Sequence, residues 1–353
     1  MSTLDGMTTF AVIGSGFRSA IYWEVAAGLP GIDCVGVVTR RPRALPVPAY
    51  DSVGALLRDH SVDFVVTSTT PAVTPRLIEE SVGRGLPVLT ETPPAWSGDE
   101  IVDLWQKVGA AGLVQVAEQY HLMPLHAARL AAVRAGLVGR VSQVHVSSTQ
   151  LYHAVSLVRR FLGVGEEAAV VRASRFVAPL VNPLDRSGWT NDITPHDAAT
   201  TLATLDFGDG RSALYDFTDN QTRNLLRTRR LLVRGSLGEL SDETVVHLAD
   251  ATTITRSSFT RRQTGHDLDQ NGYATDHIAL GDDVYWRNPW PSQRWSDDEL
   301  AVAELLTRMA AWVEDEGPAP YPLLEGCTDQ LLALAITEAA ETEETVRVTP
   351  LTT

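Results

Sequence analysis

The sequence predicts an α/β protein of two domains: a doubly wound parallel sheet at the N-terminal end, then a domain built on an antiparallel or mixed sheet. Three observations carry this prediction. From residue 8 to residue 121 short apolar runs alternate with helical patterns, the signature of βαβ units. A glycine turn, Gly14-Ser15-Gly16, joins the first apolar run to the first helical pattern. Beyond residue 135 the rhythm changes to longer polar–apolar alternations separated by turns such as Gly208-Asp209-Gly210. The 353 residues suffice for a core in each domain, divided here as 1–122 and 123–353.

Phe10-Ala11-Val12-Ile13 reads as the first buried strand, followed by a helix over 17–27, a strand over 34–38, a short helix over 52–59 and a strand over 63–67. Helices over 74–84 and 98–111 then alternate with strands over 87–90 and 113–117. Right-handed crossovers wind these units into an open parallel sheet. After a helix over 123–135, strand patterns occupy 141–147, 170–176, 199–207, 212–218 and 231–234. Helices return over 297–312 and 325–342, the first opened by Ser296 with Glu299 at capping-box spacing.

Lys plus Arg number 29 against 44 Asp plus Glu, a net charge of −15, so no general basic footprint for nucleic acid exists. The apolar runs fall far short of the ~20 residues of a membrane span. Residues 1–9 show no basic-then-apolar leader, so a cytoplasmic protein is expected. Cys34 and Cys327 have no partners at metal-ligand spacing, so neither a disulfide framework nor a metal site is expected, and both read as buried thiols. Lysine occurs only once, at Lys107.

Gly14-Ser15-Gly16-Phe17-Arg18-Ser19 follows a strand and opens a helix. Two glycines let the backbone turn tightly and approach a pyrophosphate, which the unpaired N–H groups of a helix start attract. An NAD-selective site would place Asp or Glu at the end of the second strand; this chain has Thr39-Arg40-Arg41. A hydroxyl and guanidinium groups bind a 2′-phosphate that a carboxylate would repel, so NADP(H) is the preferred cofactor expected, with NAD(H) as the alternative.

With those residues placed, the chain resembles the Gfo/Idh/MocA family, the glucose-fructose oxidoreductase and inositol dehydrogenase group. Further matching segments are Ser68-Thr69-Thr70-Pro71, Glu91-Thr92-Pro93, Ala117-Glu118-Gln119-Tyr120, the stretch 136–141, Asp197-Ala198-Ala199-Thr200 and the stretch 234–238. The resemblance implies a Rossmann domain, a C-terminal α/β domain with a large open, mostly antiparallel sheet, and homodimers or homotetramers built on that sheet. It implies a nicotinamide cofactor held by the glycine loop with Thr69, Thr70, Glu91 and Gln119, and a sugar, cyclitol or related substrate.

The family carries Glu-Lys-Pro where this chain has Glu91-Thr92-Pro93, and its lysine helps to transfer the proton that accompanies hydride transfer. Threonine has no accessible pKa near neutrality, so Thr92 is expected only to touch substrate. The family's Asp, with His four residues later, aligns with Thr149 and His153. Two of three expected catalytic groups are thus changed. Tyr120 and His153 remain as proton-transfer candidates, although each can also serve packing alone.

On the substrate side, Trp189, Asn191, Asp192, His196 and Asp197 mix a ring with polar groups, which suits a hydroxylated ligand or an ordinary surface loop. An acid–base pairing of His196 with Asp197 is disfavoured, because neighbours on a strand face opposite ways. Arg223, Arg227, Arg229, Arg230 and Arg234 read as a pocket for a carboxylate, sulfonate or phosphate or, preferably, as a strand edge whose arginines face solvent or pair subunits. Trp286, Trp290 and Trp295 read as a substrate-covering loop or as packing. Three functions follow: an NADP(H)-dependent oxidoreductase acting on a sugar, cyclitol, ketone or imine; a redox-assisted glycoside hydrolase or lyase that retains its cofactor; and a non-catalytic dinucleotide sensor or partner protein. The first is preferred.

Overall fold

The computed structural model describes residues 6–40, 44–185, 187–265, 272 and 274–351. The chain opens with β1 (Thr8–Ile13), α1 (Ala20–Ala26), β2 (Ile32–Val38), β3 (Ala49–Tyr50), α2 (Val53–Asp59), β4 (Phe64–Thr67), α3 (Thr74–Val82), β5 (Val88–Thr90), α4 (Gly98–Val108) and β6 (Val114–Val116). These strands form one parallel sheet in the order β3-β2-β1-β4-β5-β6. The winding direction reverses between β1 and β4, the switch point at which open α/β sheets bind ligands. Both strands there are buried on both faces, and Phe10 stacks on Phe64 with ring centroids 5.1 Å apart.

The helix predicted over 17–27 begins three residues later, at Ala20. Ser19 is the reason: its hydroxyl bonds the Ser68 carbonyl and hydroxyl, both at 3.1 Å, instead of capping α1, and residues 17–19 form a turn.

There follow α5 (Pro124–Arg134), β7 (Val141–Ser147), α6 (Leu151–Leu162), β8 (Ala169–Leu180), β9 (Leu184–Asp185), β10 (Gly188–Trp189), β11 (His196–Asp206) and β12 (Ser212–Thr218). Next come β13 (Arg230–Gly235), β14 (Gly238–Ser241), β15 (Thr244–Asp250), β16 (Thr253–Thr264), β17 (Ala274–Leu280) and β18 (Asp283–Arg287). The chain closes with α7 (Asp297–Val313), α8 (Leu323–Thr342) and β19 (Val346–Val348). An eleven-stranded sheet runs β18-β17-β16-β15-β14-β13-β7-β12-β11-β8-β19, with β12–β7 its one parallel pair among the described residues. One face of this sheet, carrying Val144, Val146, Leu205, Tyr215, Leu231, Val233 and Val245, is buried.

Two compact units result, and they do not divide at a single point. The first takes the chain up to Pro124 and then Trp290–Gln330; the second takes Leu125–Pro289 and Leu331–Pro350. A division after residue 122 alone therefore misplaces α7. The cause is its apolar face: Ala301, Val302, Leu305, Leu306 and Met309 join Tyr22, Trp23 and Val25 of α1 in the first unit's core. Burial of the Val, Leu and Met side chains among them is worth roughly 1.5–3 kcal/mol each. Trp290 and Trp295 meet edge-on at 5.7 Å against the same core, which makes them packing residues. No helix among the described residues is long and apolar enough to cross a membrane.

Candidate functional site: the glycine loop and its polar clasp

Gly14 leaves β1 with φ +124°, and a Cβ there would lie 2.0 Å from the Ser68 carbonyl oxygen after β4. Only glycine brings these two strand ends together. Gly16 is different: the nearest atom to a Cβ there is the Ser19 hydroxyl at 3.9 Å, so its backbone stands bare. The loop lines a groove of about 630 Å³ through Gly14, Ser15, Gly16, Phe17 and Arg18. Thr39 and Arg40 form its wall after β2, with Thr69 and Thr70 after β4. The Ser15 and Thr39 hydroxyls bond at 2.7 Å, and Thr69 bonds Thr74 at 3.0 Å. Arg41 lies outside the described residues.

Arg76 on α3 also lines the groove, and the sequence reading missed it. A bare backbone at a switch point, flanked by hydroxyls and by the guanidinium groups of Arg18, Arg40 and Arg76, with Asp51 and Glu80 also on the lining, can hold the phosphates of a dinucleotide.

Arg18 turns from the loop into a polar clasp. Its Nε donates to Glu91 Oε1 at 2.9 Å and its NH1 donates to Asp298 Oδ2 at 2.5 Å. Tyr22, wholly buried on α1, donates to Glu91 Oε1 at 2.5 Å, and the Thr92 amide donates to Oε2 at 3.2 Å. Gln119, just beyond β6, donates from Nε2 to Asp298 Oδ1 at 3.3 Å. Burial opposes the charge of Arg18, but Glu91, Tyr22 and Asp298 outweigh it and raise its pKa. Burial, then Glu91, holds Tyr22 well above the ordinary tyrosine range. Neither Arg18 nor Tyr22 exchanges a proton near neutrality, so these two serve to hold the groups they bond in place.

Asp298 is the member that sequence reasoning missed. The capping box that it sits within is present, with Ser296 and Glu299 bonding each other's backbone N–H at 2.7 and 3.3 Å, but 280 residues separate Asp298 from Arg18. Tyr120 opens a 3₁₀ turn after β6, and its amide donates to the buried carboxylate of Glu118 at 2.9 Å. It is partly exposed at the C-terminal edge of the parallel sheet.

The remaining candidates belong to the second unit. His153 is in the first turn of α6, its ring edge-on to Tyr152 at 5.5 Å. Trp189 on β10 is 69% exposed, Asn191 adopts φ +54°, and His196 begins β11. His196 Nε2 lies 3.4 Å from Asp192 Oδ2, so its acidic neighbour is Asp192 rather than Asp197. Bonds from Thr194 and then His196 hold the Asp192 carboxyl below its usual range. Arg230 pairs with Asp216 and Arg234 with Glu239 along the sheet, at 2.7 Å each. Burial pushes the Cys34 and Cys327 thiols up to about 12.

No protein-family model matches the sequence, and no curated protein is detectably similar to it. Solved structures are similar in fold. Levoglucosan dehydrogenase in complex with NADH and levoglucosan superposes with TM-score 0.69 at 17% identity, over 97% of this chain and 99% of that one. A myo-inositol dehydrogenase from Corynebacterium glutamicum gives 0.65 at 18%, over 98% and 99%. An oxidoreductase from Agrobacterium radiobacter in complex with NAD+, L-tartaric acid and magnesium gives 0.68 at 17%, over 96% and 98%. At such identities the likeness establishes the fold across nearly the whole chain.

Proposed function

We propose that the protein is an oxidoreductase that uses NADP(H) to move a hydride to or from a small polar substrate, a sugar, cyclitol, ketone or imine, without a lysine at position 92. The observation that carries this reading is the groove at the β1/β4 switch point, with Thr39 and Arg40 on the wall where a carboxylate would select NAD. Structures of the same fold that hold NADH, NAD+ or levoglucosan support the reaction class. A bound nicotinamide supplies the hydride donor or acceptor. The chain's own residues do the rest. Gly14 and Gly16 admit the pyrophosphate, Arg40 meets the 2′-phosphate, and the Arg18 clasp fixes the Glu91–Thr92 turn. Tyr120 carries the proton to or from the substrate oxygen or nitrogen, with His153 as the second candidate, and Trp189, Asn191 and His196 contribute to substrate selection.

Fluorescence titration with NADPH and NADH tests the cofactor assignment. The expected result is at least about tenfold tighter NADPH, as a lost charge-assisted contact implies. Equal or tighter NADH overturns the preference, and binding of neither overturns the reading.

Self-association into a homodimer or homotetramer belongs to the same proposal. Strand register places Phe176, Leu202, Val246, Leu248 and Ile254 on one face of the large sheet, all exposed. An apolar face of that extent favours burial against a second copy. Sedimentation at micromolar concentration is expected to show at least a dimer, and a monomer would remove this part of the proposal.

A further inference from the structure

The arginine cluster of the second unit divides in two. Arg230 and Arg234 belong to β13 and pair with Asp216 and Glu239. Arg223, Arg227 and Arg229 stand on the loop between β12 and β13. Arg229 donates to the Thr222 carbonyl and closes the loop, Arg227 reaches only the carbonyl of its neighbour Leu226 at 3.3 Å, and the Arg223 side chain has no partner among the described residues. None of the three bonds a carboxylate nearby. Asp185 is held by Ser187, Asp192 by Thr194 and His196, and Asp219 by the Ala199 amide, while Asp197 meets none of these arginines.

This loop buries its amides and exposes its leucines. Gln221 donates to the Ser147 and Thr228 carbonyls and accepts from the Thr218 amide, and Asn224 donates to the Val181 carbonyl, both side chains being buried. Leu225 and Leu226 stand outside. Buried polar groups fix the backbone, and exposed apolar ones beside free cations mark a surface that meets a ligand.

The loop's place narrows that ligand. β7, β8 and β12 run in one direction, so their ends share one edge of the large sheet. Gln221 ties the loop to Ser147, which leads to His153, while Asn220 and Asn224 tie it to Asn182 and Val181, which lead to Trp189 and Asn191. In a chain of net charge −15 an acidic substrate is repelled unless cations are held ready for it. We infer that Arg223 and Arg227 bind an oxyanion of the substrate, a carboxylate, sulfonate or phosphate, with Leu225 and Leu226 against its carbon skeleton. This rests on the oxidoreductase reading above and narrows its polar substrate to an acidic one.

The test titrates the full-length protein with D-glucuronate, D-glucose 6-phosphate and D-glucose by calorimetry at low salt, with NADPH and NADH binding measured on the same samples. Wild type is expected to bind at least one of the two anions about tenfold more tightly than glucose, the scale of two partly solvated charge contacts, and added salt should shrink the preference. Arg223→Gln/Arg227→Gln is expected to lose the preference and keep its cofactor affinity. Arg223→Gln alone, which removes no bond among the described residues, serves if the double variant does not fold, and should weaken the preference. Arg230→Gln/Arg234→Gln removes the same charge from β13 and is expected to retain the preference. Neither anion favoured over glucose, a preference undiminished without Arg223 and Arg227, or an equal loss in both double variants overturns the inference, and intact cofactor binding then leaves the oxidoreductase reading standing. Failure to bind either nicotinamide cofactor overturns both.

Discussion

The glycine-loop end of the first unit and the hairpin segment of the second differ in how their polar groups are held. Arg18, Tyr22, Glu91, Gln119 and Asp298 bond one another from four separate stretches of chain, and each is at least partly buried. Trp189, Asn191 and His196 lie within eight positions and stand largely in solvent, tied to their own neighbours. A site assembled from distant elements keeps its geometry without ligand. A hairpin bonded mainly to itself, with few buried contacts, opens more easily than elements packed in a core.

Substitutions test that contrast. The largest effect belongs to Gly14→Ala, whose Cβ meets the Ser68 carbonyl at a positive φ: a loss of about 2–4 kcal/mol of stability is expected by chemical denaturation. Gly16→Ala sharpens the comparison, because its Cβ would meet nothing nearer than the Ser19 hydroxyl at 3.9 Å, an ordinary contact. It should melt within about 2 °C of wild type yet bind dinucleotide at least about tenfold more weakly. Equal melting of the two variants would break the assignment of packing to one glycine and approach to the other. Tyr120→Phe comes next, with turnover lowered about 10²-fold and dinucleotide affinity kept; unchanged turnover passes the proton role to another group.

The second unit does hold one strongly perturbed base, away from the hairpin. His126 on α5 has an enclosed Nδ1 without a partner among the described residues. Burial, reinforced by Arg129, lowers its pKa from 6.5 to about 3. The unfolded chain takes up this proton below pH 6.5 and the folded chain does not until about 3, so stability falls as pH drops through that window, by at most ~1.4 kcal/mol per unit. Denaturation from pH 7 to pH 4.5 should show the slope, and His126→Leu should flatten it; identical slopes would remove His126 as the cause. The smallest effect on stability is expected from Trp189→Ala, within about 0.5 kcal/mol, with a raised KM for substrate. A large loss of stability there would make Trp189 a packing residue and break the contrast.

Legibility followed contact range. The parallel sheet was readable because βαβ periodicity and the Gly14–Gly16 turn are local signals. In the large sheet, β14 to β18 went unread: β16, for example, runs Thr253–Thr264 with one buried residue, Phe259, and offers no alternation to detect. The loop residues were named from spacing alone. Asp298 was not, because its helix start is read by its cap, and nothing within a few residues announces Arg18.

Chain-local signals fix the doubly wound sheet, the place of the glycine loop, and the hydroxyl and guanidinium groups of Thr39 and Arg40 after β2. Each is written in residues that neighbour one another in the chain. Long-range packing sets the return of α7 to the first unit, the joining of Glu91 to Asp298 through Arg18, and a Gln119 oxygen without a donor among the described residues. Those facts depend on which distant surfaces bury each other, and burial sets both the strength of a polar contact and the cost of leaving one unmade.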